Sequence, residues 1–264
     1  MGEEAGGAQI GNLGLAAAGV LVAVTVALSA WRGLGVERTV VWASARALVQ
    51  LLAVGGALAL VVDPDRPLVL AWAWVALMLV FAASTTRRRA PEVPGAFVLG
   101  LVAYTAAAAV SLGVLLGFGV FPTVGRTIVP LGGMIVGNSL SATVLAARRV
   151  VGELADKREE VEARLALGLP VAEAVRPHLR AAVRTALIPQ IETTKAVGIV
   201  FLPGAMVGLI LAGVDPADAV RVQLAVMYLV LGSVATTTVV VTLGLARRLC
   251  TPDHRLLPLA RVSD

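Results

Sequence analysis

Seven long apolar segments, separated by shorter polar stretches, run along this chain of 264 residues. A helix rises about 1.5 Å per residue, so about 20 apolar residues cross the hydrocarbon core of a bilayer. The segments approach that length and predict an all-α, polytopic membrane protein with about seven transmembrane helices. The sixth segment is short and the second contains a charge, so a count of six also stays open. We place the spans at Ile10–Ala30, Val40–Val62, Leu68–Thr86, Phe97–Val120, Ile128–Ala147, Ala196–Gly213 and Val222–Ala246.

The composition supports this reading of the pattern. Hydrophobic residues make up 58% of the chain and charged residues 15%, whereas soluble domains are about 25% charged. We therefore expect residues 1–264 to form a single transmembrane domain in the cell membrane, inner or plasma. The N-terminal stretch MGEEAGG is acidic and lacks the positive region of a secretory signal, so we expect no removable signal peptide.

The 22 Lys and Arg residues are distributed unequally between the two sides that seven spans define. With the N-terminus outside, the outer loops contain only Arg66, Arg126 and Arg221, and most other cations fall inside. Cytosolic loops carry an excess of Lys and Arg, so the chain is predicted to be N-out and C-in. This topology, facing the anionic lipid of the bilayer, explains the net charge of +5 without a nucleic-acid partner.

The longest polar stretch, residues 148–195, falls on the predicted cytosolic side. Its first half alternates charged and apolar residues at helical spacing, up to Gly168 and Pro170, which break a helix. A second amphipathic helix is predicted over Val171–Leu187, and Pro189 is expected to end it. Two short helices joined by a Gly–Pro elbow favour a docking element for a cytosolic protein. A plain solvated connector has a similar pattern and is the alternative.

Glycines at i, i+4 spacing occur in the two spans that flank this stretch. Gly133 and Gly137 lie in the fifth span, and Gly204 and Gly208 lie in the sixth. Glycines so spaced share one helix face and let a second backbone approach closely. Two interpretations stay open: packing between helices of one chain, or contact across a homodimer.

Helix-breaking and polar residues within the spans are candidates for a transport pathway or its gate. Pro130 and Pro203 each remove a backbone donor and predict a kink or break in their helices. Broken helices at membrane depth occur where they pack on protein or line a wet cavity. Asn138 is costly against lipid, so it is expected to face the pathway or to bond with a neighbouring helix.

A second group of pathway candidates carries charge. Arg46 and Gln50 lie one turn apart in the second span, where a charge is expensive. Arg46 either extends its guanidinium to the cytosolic interface or pairs with an acid at the cytosolic mouth. Glu192 is the acid close to the inner end of a span, so we predict that Arg46 and Glu192 couple. Lys195, at the start of the sixth span, joins the same set.

Several sequence stretches resemble a known transporter family. EARLALG places Glu162, Ala163 and Gly168 at the spacing of the EAA-xxx-G signature of ABC permease subunits, although the rest of that signature is not matched. Over nearly the whole chain, the sequence is similar to the FetB-type family of ABC permeases, which is associated with iron export and, in plants, with aluminium tolerance. The stretches that carry this likeness are WASARALVQLLAVG, IVPLGGMIVGNSLSATVLA and LIPQIETTKAVGIVFLPGAMVGLILAGVDP.

This resemblance implies a permease domain that works as a homodimer with two separately encoded cytosolic ABC ATPase subunits. ATP would then be bound by the partner. The resemblance places Glu162, Ala163 and Gly168, followed by Pro170, at the contact with the ATPase, and it implies a metal ion such as iron as the exported cargo.

The residues themselves limit what the chain does alone. It contains no GxxxxGK[ST] motif, so we expect no phosphate cradle, no cofactor bound by this chain and no enzymatic activity of its own. The predicted spans contain no mid-membrane carboxylate and no histidine, so the metal ligands stay unassigned. A chelated metal, a carbonyl site at a broken helix and a non-metal solute all stay open. An ATP-independent secondary carrier is the alternative, although such carriers usually show an ion relay and inverted repeats.

Overall fold

A computed structural model describes residues 12–251 and 255–257 of the chain. The acidic N-terminal stretch and Ile10, where the first predicted span begins, lie outside the described residues. Within the described part, the regular structure is helical. The helices are α1 (Asn12–Arg32), α2 (Glu37–Val61), α3 (Leu68–Arg89), α4 (Ala96–Gly117), α5 (Gly125–Asp156), α6 (Arg158–Ala166), α7 (Val171–Ala174), α8 (Arg176–Ala196), α9 (Gly204–Leu211) and α10 (Pro216–Leu249).

Five of these helices are long and apolar enough to cross a membrane, namely α2, α3, α4, α5 and α10. The described part of the first predicted span lies in α1, whose apolar stretch is Ala16–Arg32. The all-α prediction is therefore confirmed for the described residues, and five of the predicted spans coincide with single apolar helices. The total of seven spans and the N-out orientation stay predictions.

Helices α3, α4, α5 and α10 form the central bundle, and α8 packs on α5 and α10. Glycine permits one of the closest contacts, because a Cβ at Gly132 of α5 would lie 2.8 Å from a methyl group of Val75 on α3. Polar groups inside the bundle bond to each other, since lipid offers them no partner. The hydroxyls of Thr86 and Tyr104, on α3 and α4, are 2.8 Å apart. These contacts hold the four helices together, and the remaining elements lie against them.

One end of the bundle is strongly basic. Glu92, in the turn between α3 and α4, pairs there with Arg148 of α5 at 2.7 Å. At the opposite end, Gly125 begins α5 close to the carbonyl oxygen of Val61. The positive-inside rule predicts that the basic end faces the cytosol. We call it the basic end; its arginines are Arg87, Arg88, Arg89, Arg148, Arg149, Arg247 and Arg248.

Helices α1 and α2 pack on each other and make few contacts with the bundle. Ser29 donates a hydrogen bond of 2.7 Å to the carboxylate of Glu37 and so closes the turn between them. No residue of α2 is buried. The hairpin therefore presents an apolar helix to the bilayer or to another protein.

The sixth predicted span, Ala196–Gly213, is not one continuous helix, and its crossing of the membrane stays a prediction. Helix α8 extends to its first residue, and α9 covers only 8 residues near its end. Between them, Gly198 has a φ of +87°, a left-handed conformation that ends helical winding. Pro203, directly before α9, has no amide hydrogen to donate. The break expected at Pro203 is therefore present.

Two other prolines lie inside helices, so the helix end predicted at Pro189 and a break at Pro130 are not present, while a kink at Pro130 stays a prediction. Pro189 lies inside α8 and Pro130 lies inside α5, which runs for 32 residues. A proline removes one backbone hydrogen bond and costs about 3 kcal/mol in a helix interior. At Pro189, the packing of α8 against α5 and α10 offsets that cost. The helix predicted over Val171–Leu187 is instead divided into the short α7 and the longer α8.

Candidate coupling surface and transport cavity

The turn between α6 and α7 projects from the basic end. Val161 and Leu165 on one face of α6 are buried and join α6 to the core of this end. Residues 166–170, which we call the coupling turn, are all exposed. Leu167 exposes 82% of its surface. Exposed apolar groups grouped in this way mark interaction sites more often than solvated connectors.

The four residues predicted for ATPase coupling lie together at this tip. Glu162 and Ala163 are exposed on α6, one turn before the coupling turn. The carboxylate of Glu162 pairs with Arg158 at 2.8 Å. Gly168 has a φ of +84°, which favours glycine, and Pro170 caps the start of α7. The structure therefore gives the four positions one common surface.

The base of this surface is fixed to the rest of the protein. The guanidinium of Arg158 donates hydrogen bonds to the carbonyl oxygens of Leu256, at 2.9 Å, and Leu257, at 3.1 Å. Leu256 is buried in the same core cluster as Leu154 near the end of α5 and Leu249 at the end of α10. A force on the coupling turn would therefore reach α5 and α10 through direct packing.

A cavity of about 300 Å³ lies where α5, α8 and α10 meet the break before α9. Asn138 lies about 20 Å along α5 from its start at the opposite end, and Gln223 lies about 10 Å along α10. Both helices are long enough to span a bilayer, so the cavity is at membrane depth. Its polar lining residues are Asn138, Gln190, Thr193 and Gln223, and its other lining residues include Met134, Met227, Val197, Phe201, Pro203 and Gly204.

Gln190, Thr193 and Gln223 are polar residues of this cavity that sequence reasoning did not predict, and Gln223 is the buried one among them. It is 8% exposed, and its side-chain oxygen Oε1 has no hydrogen-bond partner among the described residues. Leaving a buried acceptor unpaired costs about 1–3 kcal/mol, which a solute, a water molecule or a cation at this oxygen would recover. Asn138 also lines the cavity, and its amide nitrogen donates to the carbonyl of Met134 at 2.8 Å. Amide oxygens are suitable ligands for hard cations.

Helix α8 packs against α5 and α10 of the bundle. The charged residues near its end are therefore part of a helix and not of the loop that the sequence predicted. Leu187 packs against the apolar cluster that contains Val226 and Val230 of α10. Glu192 and Lys195 follow on the same helix and form an ion pair of 2.9 Å. Glu192 and Lys195 therefore lie on a helix that packs against the bundle, between and beside the cavity-lining residues Gln190 and Thr193, and the expectation that no carboxylate lies at mid-membrane stays a prediction. It rested on starting the sixth span at Ala196.

The predicted contact between Arg46 and Glu192 is not formed within the single chain. Glu192 pairs with Lys195 instead, and Arg46 has no ion pair among the described residues. Arg46 and Gln50 are exposed on α2, away from the lining of the cavity. Of the pathway candidates, the structure thus brings Asn138 and Pro203 into one cavity and leaves the others outside its lining.

Within the single chain, other helices do not lie close to most of the glycines that were predicted to mediate helix packing. A Cβ added at Gly137, Gly204 or Gly208 would meet nothing within 4 Å, and one at Gly133 would meet only Met78, at 3.8 Å. Close packing instead occurs at other glycines, such as Gly132. Of the two interpretations, packing inside one chain is therefore not realised at these three positions.

A helical bundle with apolar spans and a polar cavity at membrane depth is a multi-pass membrane protein. The family model described as "Uncharacterised protein family (UPF0014)" matches residues 12–250, and the chain belongs to this family. This match, together with the relatives below, confirms the resemblance noted from the sequence.

Three curated relatives cover most of the chain. The UPF0014 membrane protein YjkA of Bacillus subtilis (strain 168) is 34% identical over 84% of this chain and 89% of its own length. The probable iron export permease protein FetB of Escherichia coli (strain K12) is 30% identical, over 94% of this chain and 96% of its own. The protein ALUMINUM SENSITIVE 3 of Arabidopsis thaliana is 30% identical, over 86% and 83%. No solved structure shows a significant match to this chain.

Proposed function

We propose that this chain is the membrane-spanning permease subunit of an ABC transporter that exports a metal ion such as iron. A separate cytosolic ABC ATPase subunit binds and hydrolyses ATP, and this chain holds no cofactor. The proposal is supported by membership of the UPF0014 family and by the similarity to FetB, whose name describes a probable iron export permease. In this proposal the basic end faces the cytosol.

The observation that carries the ATPase partnership is the exposed coupling turn. A solvated connector needs no exposed leucines, yet Leu167 and Leu169 are both exposed there. An apolar tip on a rigid base fits into a groove of another protein, where its burial contributes to binding. Glu162 and Ala163 would lie at the rim of that groove, and Gly168 would allow the tight turn at its centre.

The same contacts offer a route from ATP binding to transport. When the two ATPase subunits close, they displace α6 and, through the shared core cluster, the ends of α5 and α10. These two helices also line the cavity. A rigid-body movement of packed helices is a common way to open one side of a transporter and close the other.

We assign the cavity between α5, α8 and α10 as the place where cargo pauses. Its amide oxygens, from Asn138, Gln190 and Gln223, suit a hard cation that keeps part of its water shell. The unpaired oxygen of Gln223 is the group most in need of a partner. Met134 and Met227 line the remainder of the cavity and contribute apolar surface.

A second copy of the chain completes this transporter. The side chains of Glu192 and Lys195 are 61% and 67% exposed in the single chain at membrane depth. Charged groups at such depth face a protein interior or a water-filled space rather than lipid. The open glycine faces at Gly137, Gly204 and Gly208 offer close contacts to that second copy.

The proposal is tested in inverted membrane vesicles that contain this chain with its ATPase subunit. We expect ATP-dependent uptake of iron into the vesicles and a stoichiometric ATPase subunit when the chain is purified intact. Gln223→Leu should lower uptake at unchanged insertion. Gln50→Leu, the matched change on α2, should leave uptake intact.

Three outcomes would contradict the proposal or one of its parts. Iron transport that persists in vesicles lacking any ATPase subunit would favour the secondary carrier. A purified chain that retains no nucleotide-binding subunit, under conditions that keep it folded, would remove the role of the coupling turn. Equal loss of uptake in Gln223→Leu and Gln50→Leu would reject the cavity as the cargo site.

A further inference from the structure

A groove of about 700 Å³ lies between α8 and α10 and shares no lining residue with the cargo cavity. This volume is in the range of ligand sites, about 300–1,000 Å³. Its walls are mainly aliphatic, and Thr242 lies among them. The apolar lining residues are Ala172, Leu179, Val183, Leu187, Ile191, Val239 and Leu243.

Three arginines follow one edge of this groove. Arg176, Arg180 and Arg184 are spaced one turn apart on α8, line the groove and are exposed. The row is about 12 Å long. None of the three has an ion pair among the described residues. Glu173 is the one acid in the lining, so the edge carries a net positive charge.

The charge and the apolar surface are ordered along the membrane normal. Leu179, beside the arginines, packs in the core cluster of the basic end. Leu187, further along α8, packs against the cluster of deeper bundle residues. The groove thus begins with cations at the basic end and continues with aliphatic residues towards the bilayer centre. An amphiphile with an anionic head and hydrocarbon chains has the same order.

We propose that this groove binds an anionic phospholipid from the leaflet at the basic end. The phosphate accepts hydrogen bonds from the arginine row, and an acyl chain lies along Leu187, Ile191 and Leu243. Guanidinium groups bind phosphate in a forked geometry, and basic pockets between membrane helices hold anionic head groups in this way. The lipid would fill the space between α8 and α10, the helices that also border the cargo cavity.

The site is tested with the purified chain alone in detergent, using spin-labelled phosphatidylglycerol and phosphatidylcholine as probes. Each cation near an anionic lipid surface contributes about fivefold to binding, whereas phosphatidylcholine has no net charge. We therefore expect phosphatidylglycerol to be immobilised at least about tenfold more tightly than phosphatidylcholine. Replacing Arg176, Arg180 and Arg184 together by glutamine should abolish this preference.

Two further variants separate charge from shape. Replacing the same three arginines by lysine keeps the charge, so the preference for phosphatidylglycerol should persist. Val183→Trp fills the groove without changing charge and should weaken the binding of both lipids. As the matched control, replacing Arg87, Arg88 and Arg89 by glutamine removes three exposed cations at the same end and should leave the preference intact.

Unchanged phosphatidylglycerol preference in the glutamine variant would overturn the proposal. Equal loss in the Arg87–Arg89 control would also overturn it, because the effect would then be general surface charge. If the glutamine variant keeps its lipid but no longer binds the ATPase subunit, the groove is occupied by that protein instead of a lipid. If the variant keeps its lipid but changes its oligomeric state, the groove is occupied by a second copy of the chain. Lipid binding is measured without the ATPase, so it stands or fails separately from the proposed transport function.

Discussion

Replacing Leu167 by alanine should weaken the docking of the ATPase subunit without disturbing the fold. The change removes three carbon groups, each of which contributes about 0.8 kcal/mol when it becomes buried. Leu167 exposes 82% of its surface in the free chain, so nearly all of that contribution is available for binding. The expected loss is about 2 kcal/mol, or about 30-fold in affinity.

The affinity is measured by titrating the purified ATPase subunit onto the chain held in lipid nanodiscs. The melting temperature of the chain should not change, because the Leu167 side chain makes little contact within the protein. Leu34→Ala is the matched control, since Leu34 is also largely exposed, in the turn between α1 and α2. It should bind the ATPase normally. A change of less than about threefold for Leu167→Ala would refute the docking role.

Three other predictions concern the turn, the bundle and the single cysteine. Gly168→Leu forces a bulky residue into a φ of +84°, so transport should be uncoupled from ATP hydrolysis in a chain that still inserts; normal transport per ATP would count against this. Gly132→Ala brings a Cβ to 2.8 Å from Val75 and should lower stability by about 1–3 kcal/mol in thermal unfolding, whereas Gly152→Ala, on the same helix and with nothing within 4 Å of its added Cβ, should not. Burial raises the pKa of the Cys250 thiol, so its labelling by a membrane-impermeant maleimide should stay slow at neutral pH, where the thiol is protonated. Labelling should rise only at a pH above that of ordinary cysteines and only from the cytosolic side; a midpoint at or below the ordinary value would contradict the burial.

The continuous apolar runs were predictable because nothing interrupts their helices. The spans in α3, α4 and α10 follow directly from lengths of about 20 apolar residues. The helix break predicted at the elbow is also present. Gly168 has a left-handed backbone, and Pro170 directly precedes α7. Local chemistry decides the structure at these places, so local sequence indicates it.

The continuation of α8 through Pro189 to Ala196 was not predicted, because packing overrides composition there. The second half of α8 is polar enough to read as a loop, yet Leu187 lies against deep bundle residues and Pro189 does not end the helix. As a result, the position of Glu192 and Lys195 on a helix that packs against the bundle was not foreseen. Gln223 was overlooked inside an apolar run, although a lone amide among aliphatic residues was the signal that could have found it.

In the proposed transporter, helix α5 would act as a lever because it is long and continuous. It continues without interruption from Asn138 at the cavity to Asp156 beside α6, a distance of about 27 Å. A tilt of about 5° at one end of such a rod displaces the other end by about 2 Å. That is close to the radius of a dehydrated cation's coordination shell, about 2.0–2.6 Å. If the cavity holds a cation as proposed, a small displacement of α6 by the ATPase would therefore be large enough to separate that ion from its ligands.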